Sequence, residues 1–339
     1  MGLNCGAQVL YSVRGLKMGD IVDICHGLAS EQGMVTPTID VDCSNACFKV
    51  GKNVQSVVKH LVKWAGTGLC IVPVCDGTVR PICKQASNKR KADRDKNRIK
   101  ASIIRKDLRS LNRRAYLDAP NRSELLTEIA RLEKECRTAE AASSNVVSGT
   151  FDAELIVELE QTGAHLRNDA RGFVHHVMTA EFQADSLIMG RVINGSTLMV
   201  QTSDSDIPAI SSDDCIAIKD FTKEGQMQIV STSEQTIKKA MTYLSEGSRN
   251  HVTFTPAKHP IFEGVVDRRL RALIAIFLGC DVCIKGLPGV GAKTMNEVIN
   301  VYYPKYSKRC PNVSLFAYLK RYLCNKMKGY NHSVVQTLG

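Results

Sequence analysis

Seven carboxylates stand out by where they fall. Asp42 and Asp76 each close a short apolar run. Asp204 and Asp206 sit two residues apart just past another. Glu181 and Asp185 open a helical stretch, and Asp281 precedes a glycine-rich turn. Gathered in one place, so many carboxylates repel, and their pKa values rise. Cations must then neutralise them. Oxygen ligands without imidazole favour Mg²⁺ or Mn²⁺. Two such ions a few ångströms apart activate water and stabilise the leaving oxygen of a phosphodiester.

The elements around these acids support one site. Thr38–Asp42 predicts a strand, and VQSVVKHLVKWAG (54–66) a helix with the stripe Val54, Val57, Val58, Leu61 and Val62. LCIVPVCDG (69–77) predicts a strand buried on both faces, as in a parallel sheet. Strand, helix and strand make a βαβ unit, and ligands bind beyond the carboxyl ends of such strands. The plainer reading of either Asp is a helix cap or turn residue. A strand over Thr197–Thr202 places Asp204 and Asp206 at the same end. DCIAIKD and MQIVST predict an antiparallel pair at the sheet edge. The first 35 residues carry short helical signals, and the chain beyond 231 turns helical.

Two basic or phosphate-seeking features flank the acids. Residues 84–114 hold 13 Lys or Arg against 3 Asp, a net of +10 within a chain whose whole excess is +11. A one-signed run of that density favours phosphate binding over a merely solvated face. It predicts a helix, followed by others over 122–142 and 151–167. In LIAIFLGCDVCIKGLPGVGAKTMNEVI (273–299), Gly286, Pro288, Gly289 and Gly291 permit a sharp turn between two helices. Lys293 and Thr294 lie at the mouth of the second helix, where N–H groups favour a phosphate. The competing reading is an ordinary αα-hairpin.

Thirteen cysteines without a framework suggest free thiols and a reducing compartment. No apolar run is long enough to span a bilayer, so the expectation is a soluble intracellular protein with no membrane partner. MGLNCG has Gly6 where a myristoylation signal needs Ser or Thr. Cys280 and Cys283 lack a second ligand pair, so zinc is not expected. The tail, 304–339, mixes basic and aromatic residues and receives no assignment.

In order and spacing the motifs resemble the flap endonuclease/XPG superfamily of structure-specific 5′ nucleases. The start MGLNCGAQVL, VDCS (41–44), VCDG (74–77), QADS (183–186), TSDSD (202–206) and LGCDVC (278–283) followed by GLPGVGAKT carry the resemblance, over roughly residues 1–300. It implies an α/β PIN-like core with a central twisted, mostly parallel sheet flanked by helices. The expected organisation is nuclease core over 1–82 and 173–262, a gateway- and cap-like basic helical insertion over 83–172, a helix–hairpin–helix over 263–303 and a basic tail over 304–339. Asp42, Asp76 and Asp185 would help hold one Mg²⁺ or Mn²⁺, and Asp204, Asp206 and Asp281 would hold or orient the second. Lys84 and Arg90 would contact the scissile phosphate. Gly2, Lys89, Lys91, Gly289, Gly291, Lys293 and Thr294 would approach DNA, in the family with a K⁺ ion in the hairpin turn.

The chain departs from the family pattern at several points. Gln183 replaces an acid, which Glu181 would restore only with a backbone shift. One residue is added between Asp281 and the turn, and the stretch from Asp42 to Asp76 is short. Cys5-Gly6 replaces the usual Gly at position 5, and no sliding-clamp box is evident in the tail. These departures mark a divergent member, viral or rapidly evolving. The expectation is a monomeric enzyme of the nucleus or a viral replication site that cuts 5′-flap, junction or single-strand/duplex DNA. The alternatives are a catalytically impaired DNA-structure binder and an RNA-directed 5′–3′ exonuclease.

Overall fold

The computed structural model describes residues 3, 5–51, 53–77, 84–117, 122–143, 151–162, 172–280 and 286–326, with backbone alone over 84–90, 117, 122, 141–143 and 323–326. The chain forms two compact units, Met1–Thr78 with Asp152–Gly339, and Val79–Phe151.

The larger unit is built on a nine-stranded sheet. In chain order its strands are β1 (Tyr11–Leu16), β2 (Thr38–Asp42), β3 (Cys70–Cys75), β4 (Phe173–Val174), β5 (Met178–Thr179), β6 (Met199–Gln201), β7 (Ile216–Lys219), β8 (Met227–Ser231) and β9 (Thr253–Thr255). Their order across the sheet is β4-β3-β2-β6-β7-β8-β1-β9, with β5 also pairing β3. From β4 to β7 neighbouring strands are parallel, and from β7 to β9 they alternate. All six β3 residues are buried. This is the burial expected of a parallel strand covered on both faces.

The register fixes where the acids emerge. Asp42 pairs with Val74 on β3, and Val41 with Gln201 on β6. Three strands therefore end together, and the residues just beyond them share one edge. The helix Val54–Ala65 covers this region through Val54, Val57, Val58, Leu61, Trp64 and Ala65, and the Asn53 side chain caps it by accepting the Ser56 N–H at 2.8 Å. Val62, placed on the apolar stripe by sequence, is 40% exposed. The buried face centres on Leu61, so Trp64 and Ala65 complete it instead.

Several expectations fail in detail. β1 lies where the sequence suggested small helices. Its alternation is short and is interrupted by a register shift between Arg14 and Leu16, beside Gly15. β7 and β8 pair antiparallel as expected, yet they are interior, because β1 and β9 extend the sheet beyond them. β9 falls in a stretch read as helical, and three residues carry too little period to betray a strand.

The smaller unit is a helix pair, Lys84–Leu117 and Arg122–Ser143. A narrow seam of Ala101, Ile104, Leu132, Cys136 and Ala139 joins them. Lys100–Glu135 and Arg105–Glu140 bridge the pair, each at 2.6 Å. Phe151–Thr162 is a further helix.

After the sheet come the helices Arg268–Leu278 and Ala292–Glu297, a π-turn over Val298–Tyr302, and the helices Tyr303–Arg309 and Leu315–Lys326. Leu273, Ile274, Phe277, Met295, Val298 and Leu319 pack together in their core. Ten described cysteines are thiols rather than disulfides, and eight of these are buried.

Candidate active site

Asp42 caps the helix Cys43–Val50. Its Oδ1 accepts the Asn45 N–H at 3.0 Å. The plain capping role is therefore real, but it uses only half of the carboxylate. Oδ2 accepts the Thr202 hydroxyl at 3.3 Å, which ties β2 to the loop after β6. Thr202 Oγ1 in turn accepts the Asp204 N–H at 3.0 Å, and Asp204 Oδ1 accepts the Asp206 N–H at 2.9 Å. Asn45 Oδ1 accepts the Ser203 N–H at 3.1 Å. Sequence reasoning missed Asn45 as a structural partner, and Thr202 entered only as a strand end and a letter of a motif.

Asp76 does a second linking job. Its Oδ1 accepts the Ala184 N–H at 2.9 Å and its Oδ2 the Ser44 hydroxyl at 2.7 Å. It thus caps the helix Ala184–Ile193 from another segment and fixes the turn that carries Asp185. The far end of that helix is held by Arg191, which pairs with fully buried Asp40 at 2.8 Å. Gly77 permits the approach, because a Cβ there would lie 1.9 Å from the Ala180 carbonyl oxygen. The Gly77 N–H also donates to the Phe182 carbonyl.

The carboxylates act on one another. Burial pushes Asp42 up to about 7; the Asn45 N–H opposes the rise, and Asp76 and Asp204 add to it. Burial also lifts Asp185 well above the usual range, with Asp204, Asp42, Asp76 and Asp206 contributing. Five sequence-selected acids are therefore within electrostatic reach of each other. Among the described residues, no three His, Cys, Asp or Glu groups form a ready-made coordination sphere. The donor chemistry still fits hard divalent cations. It is all oxygen, and its excess negative charge disfavours the ionised, cation-free state.

Two charged groups at this edge were not singled out by sequence. Asp152, on the helix Phe151–Thr162, has a carboxyl raised by burial and by Asp76, while a hydrogen bond from Cys75 lowers it. Lys219 ends β7. Burial lowers its pKa, against an opposing pull from Asp204, Asp220 and Asp206. Neither residue belongs to a short motif, so only the fold brings them here.

Gln183 is half-buried at the N-cap of the helix bearing Asp185, and Glu181 is exposed just before it. Asp281 and Gly2 lie outside the described residues, as do the side chains of Lys84, Lys89 and Arg90. Lys91 is exposed on its helix in the smaller unit.

Several solved chains are similar to this one. The catalytic core of Rad2 in complex with DNA substrate matches at 16% identity over 88% of this chain and 77% of its own, with a TM-score of 0.41. Human GEN1 in complex with Holliday junction DNA matches at 13% identity over 89% and 60%, with a TM-score of 0.42. The Holliday junction-resolving enzyme GEN1 in complex with product DNA and Mg²⁺ matches at 11% identity over 93% and 53%, with a TM-score of 0.45. No family model and no curated protein sequence matches the chain.

The hairpin turn is anchored on the preceding helix. Leu287 N–H donates to the Phe277 carbonyl at 2.7 Å, and Leu287 and Val290 are buried. Gly286 has φ +59°, and a Cβ there would lie 2.5 Å from that same carbonyl oxygen. Gly289 also has positive φ, and Gly291 is the N-cap of Ala292–Glu297. Lys293 is exposed and Thr294 half-buried at the start of this helix.

Proposed function

We propose that the chain is a divergent member of the flap endonuclease/XPG superfamily, and that it hydrolyses phosphodiester bonds in branched or junction DNA with two divalent ions. One observation carries the reading. Asp42, Asp76, Asp185, Asp204 and Asp206 come from four separated segments, and hydrogen bonds from Asn45, Thr202, Ser44 and Ala184 hold that group together at an electrostatic cost. A fold gains nothing from such crowding unless cations relieve it.

In this reading Asp42, Asp76 and Asp185 face one ion, and Asp204 and Asp206, with Asp281, face the second. Gln183 offers an amide oxygen where a charge is lost. When bound, Mg²⁺ or Mn²⁺ supplies an activated water and stabilisation of the leaving oxygen. The chain's own part is to hold carboxylates in register, with Thr202 and Asn45 fixing the Asp204–Asp206 loop against Asp42. Lys84 and Arg90 would meet the scissile phosphate, and Lys89 and Lys91 the adjoining strand. Gly2 and the turn Gly289–Thr294 would approach the duplex, with K⁺ in that turn. The working unit would be a monomer acting in the nucleus or at a viral replication site.

The test is cleavage of end-labelled 5′-flap DNA beside single-strand, duplex and RNA substrates, in Mg²⁺, Mn²⁺ or chelator. Cutting near the junction that needs metal and disappears in Asp204→Asn is the expected result. Gln183 favours a second reading, a DNA-structure binder with an impaired site. Tight binding without cutting in either metal would select it, and preferential RNA cutting would redirect the substrate assignment.

A further inference from the structure

The last acidic residue of the chain is Glu297; none occurs in the following 42 residues. That span carries Lys305, Lys308, Arg309, Lys320, Arg321, Lys326 and Lys328. Elsewhere on the sheet-bearing unit, several surface lysines are ion-paired. Lys49 meets Asp220, Lys63 meets Glu224, Lys238 meets Glu234 and Lys239 meets Glu31. Lys305, Lys308 and Arg309 are exposed, and none is ion-paired with a described residue.

These three cations are ordered by their helix. On Tyr303–Arg309 they fall at i, i+3 and i+4, which places them on one face. The helix is held by aromatic packing on its other side. Tyr306 and Tyr303 pack on Tyr318 of the next helix, with ring centroids 4.8 and 5.5 Å apart. Arg321 donates to the Tyr306 hydroxyl at 3.1 Å, and the Tyr303 hydroxyl donates to the Val313 carbonyl at 3.0 Å. The cations therefore ride on a packed helix pair, and holding them in place loses less side-chain and backbone freedom than a flexible tail would.

The helix also continues from the hairpin. The helix Ala292–Glu297 passes through the π-turn Val298–Tyr302 directly into Tyr303–Arg309. From Lys293 to Arg309 the run spans about 24 Å at ~1.5 Å per residue. That length matches roughly seven phosphates of one strand at ~3.4 Å each.

We infer that Lys305, Lys308 and Arg309 form a second phosphate-backbone contact for duplex DNA, extending the grip of the hairpin along one strand. The inference rests on the proposed nucleic-acid function but names a surface which that reading does not use. These cations lie on one fixed face, in an acid-free segment and without an ion-pair partner among the described residues, so they complement a phosphate row.

The experiment measures duplex and 5′-flap binding by the full chain from low to moderate salt. It compares wild type, Lys305→Gln/Lys308→Gln/Arg309→Gln and a charge-matched control, Lys63→Gln/Lys238→Gln/Lys239→Gln. The first triple variant should lower the slope of log affinity against log salt by about 2–3, at ~0.9 per lost contact. The control should change it by less than about 1. Circular dichroism and melting should be unchanged in both, since exposed substitutions are usually near neutral. An affinity and slope equal to wild type in the first variant would overturn the surface and leave the nuclease reading intact. Binding that depends on these residues without cleavage in either metal would uphold the surface and remove the nuclease reading. A wild-type chain that binds no DNA would overturn both.

Discussion

Arg271 Nη1 lies 2.9 Å from Asp213 Oδ1, on a side chain that is 1% exposed. The same guanidinium donates to the carbonyls of Ala209, Phe262 and Val265 and to the Thr232 hydroxyl, and it stacks over the Phe262 ring. Asp213 accepts the Gly264 N–H in return. Arg271 thus joins the helix leading to the hairpin to the short helix Asp206–Ile210 through the Ala209 carbonyl, and to the turn that follows it through Asp213. A buried pair with so many hydrogen bonds is costly to break from one side. Arg271→Met should lower the unfolding free energy by about 3–5 kcal/mol in urea denaturation. A loss within about 0.5 kcal/mol, the usual range for a surface change, would show that this network does not bind the two helices together.

Crowded carboxylates make metal binding visible without any assay of cleavage. Mg²⁺ at about 100 times its dissociation constant should stabilise the fold by roughly 2.7 kcal/mol. A melting temperature that climbs with Mg²⁺ in wild type and barely moves in Asp204→Asn is expected. An equal shift in both proteins would place the bound ion away from the Asp42–Asp204 group.

Substituting Lys89, Arg90 and Lys91 by Gln should weaken DNA binding and flatten its salt dependence by about 2–3 in slope. Titration of a labelled flap at several salt concentrations measures both. An unchanged slope would remove the Lys84–Leu117 helix from the DNA path.

His60 contacts Gln201 at 2.9 Å, and burial lowers its pKa below the ordinary 6.5. Between the lowered folded value and 6.5 the unfolded chain binds more protons than the folded one. Stability therefore rises with pH across that window and falls on acidification. Asp42 and Asp185, whose raised pKa values act in the opposite direction, do so in both proteins. In His60→Gln the His60 contribution should vanish, so acidification from pH 7 to 5 should cost the variant less stability, or gain it more, than wild type. If the two pH profiles have the same slope there, His60 is not the titrating group.

What the sequence revealed and what it hid have physical causes. The helix Val54–Ala65 was readable from its helical apolar stripe, β2 from a short strand pattern ending in an acid, and β3 from an unbroken apolar run that closes at Asp76. The acids were readable because strand ends are where ligands collect. β1 and β9 were not, since a register shift in one and three residues in the other leave no period to find. Asp152 and Lys219 join the acidic edge only through tertiary placement, so no local spacing announces them. Arg271 looked like one basic residue in a basic helix start, and nothing in RRLRAL distinguishes it from its exposed neighbours Arg268 and Arg269. The hydrogen bonds of Asn45 and Thr202 depend on two loops meeting, which the chain order alone conceals.

The cysteines give the molecule a set of internal clocks. Cys25, Cys43, Cys47, Cys70, Cys75, Cys215 and Cys280 are buried in the sheet-bearing unit, and Cys136 lies in the seam of the helix pair. A thiol reagent reaches such sulfurs only while the surrounding segment is open, so each labelling rate reports a local opening. Among the described thiols, half-buried Cys5 and Cys310 set the fast end of the scale. Read site by site in a mass spectrometer, native thiols would time the unlatching of the helix pair separately from that of the sheet, with no label engineered into the chain.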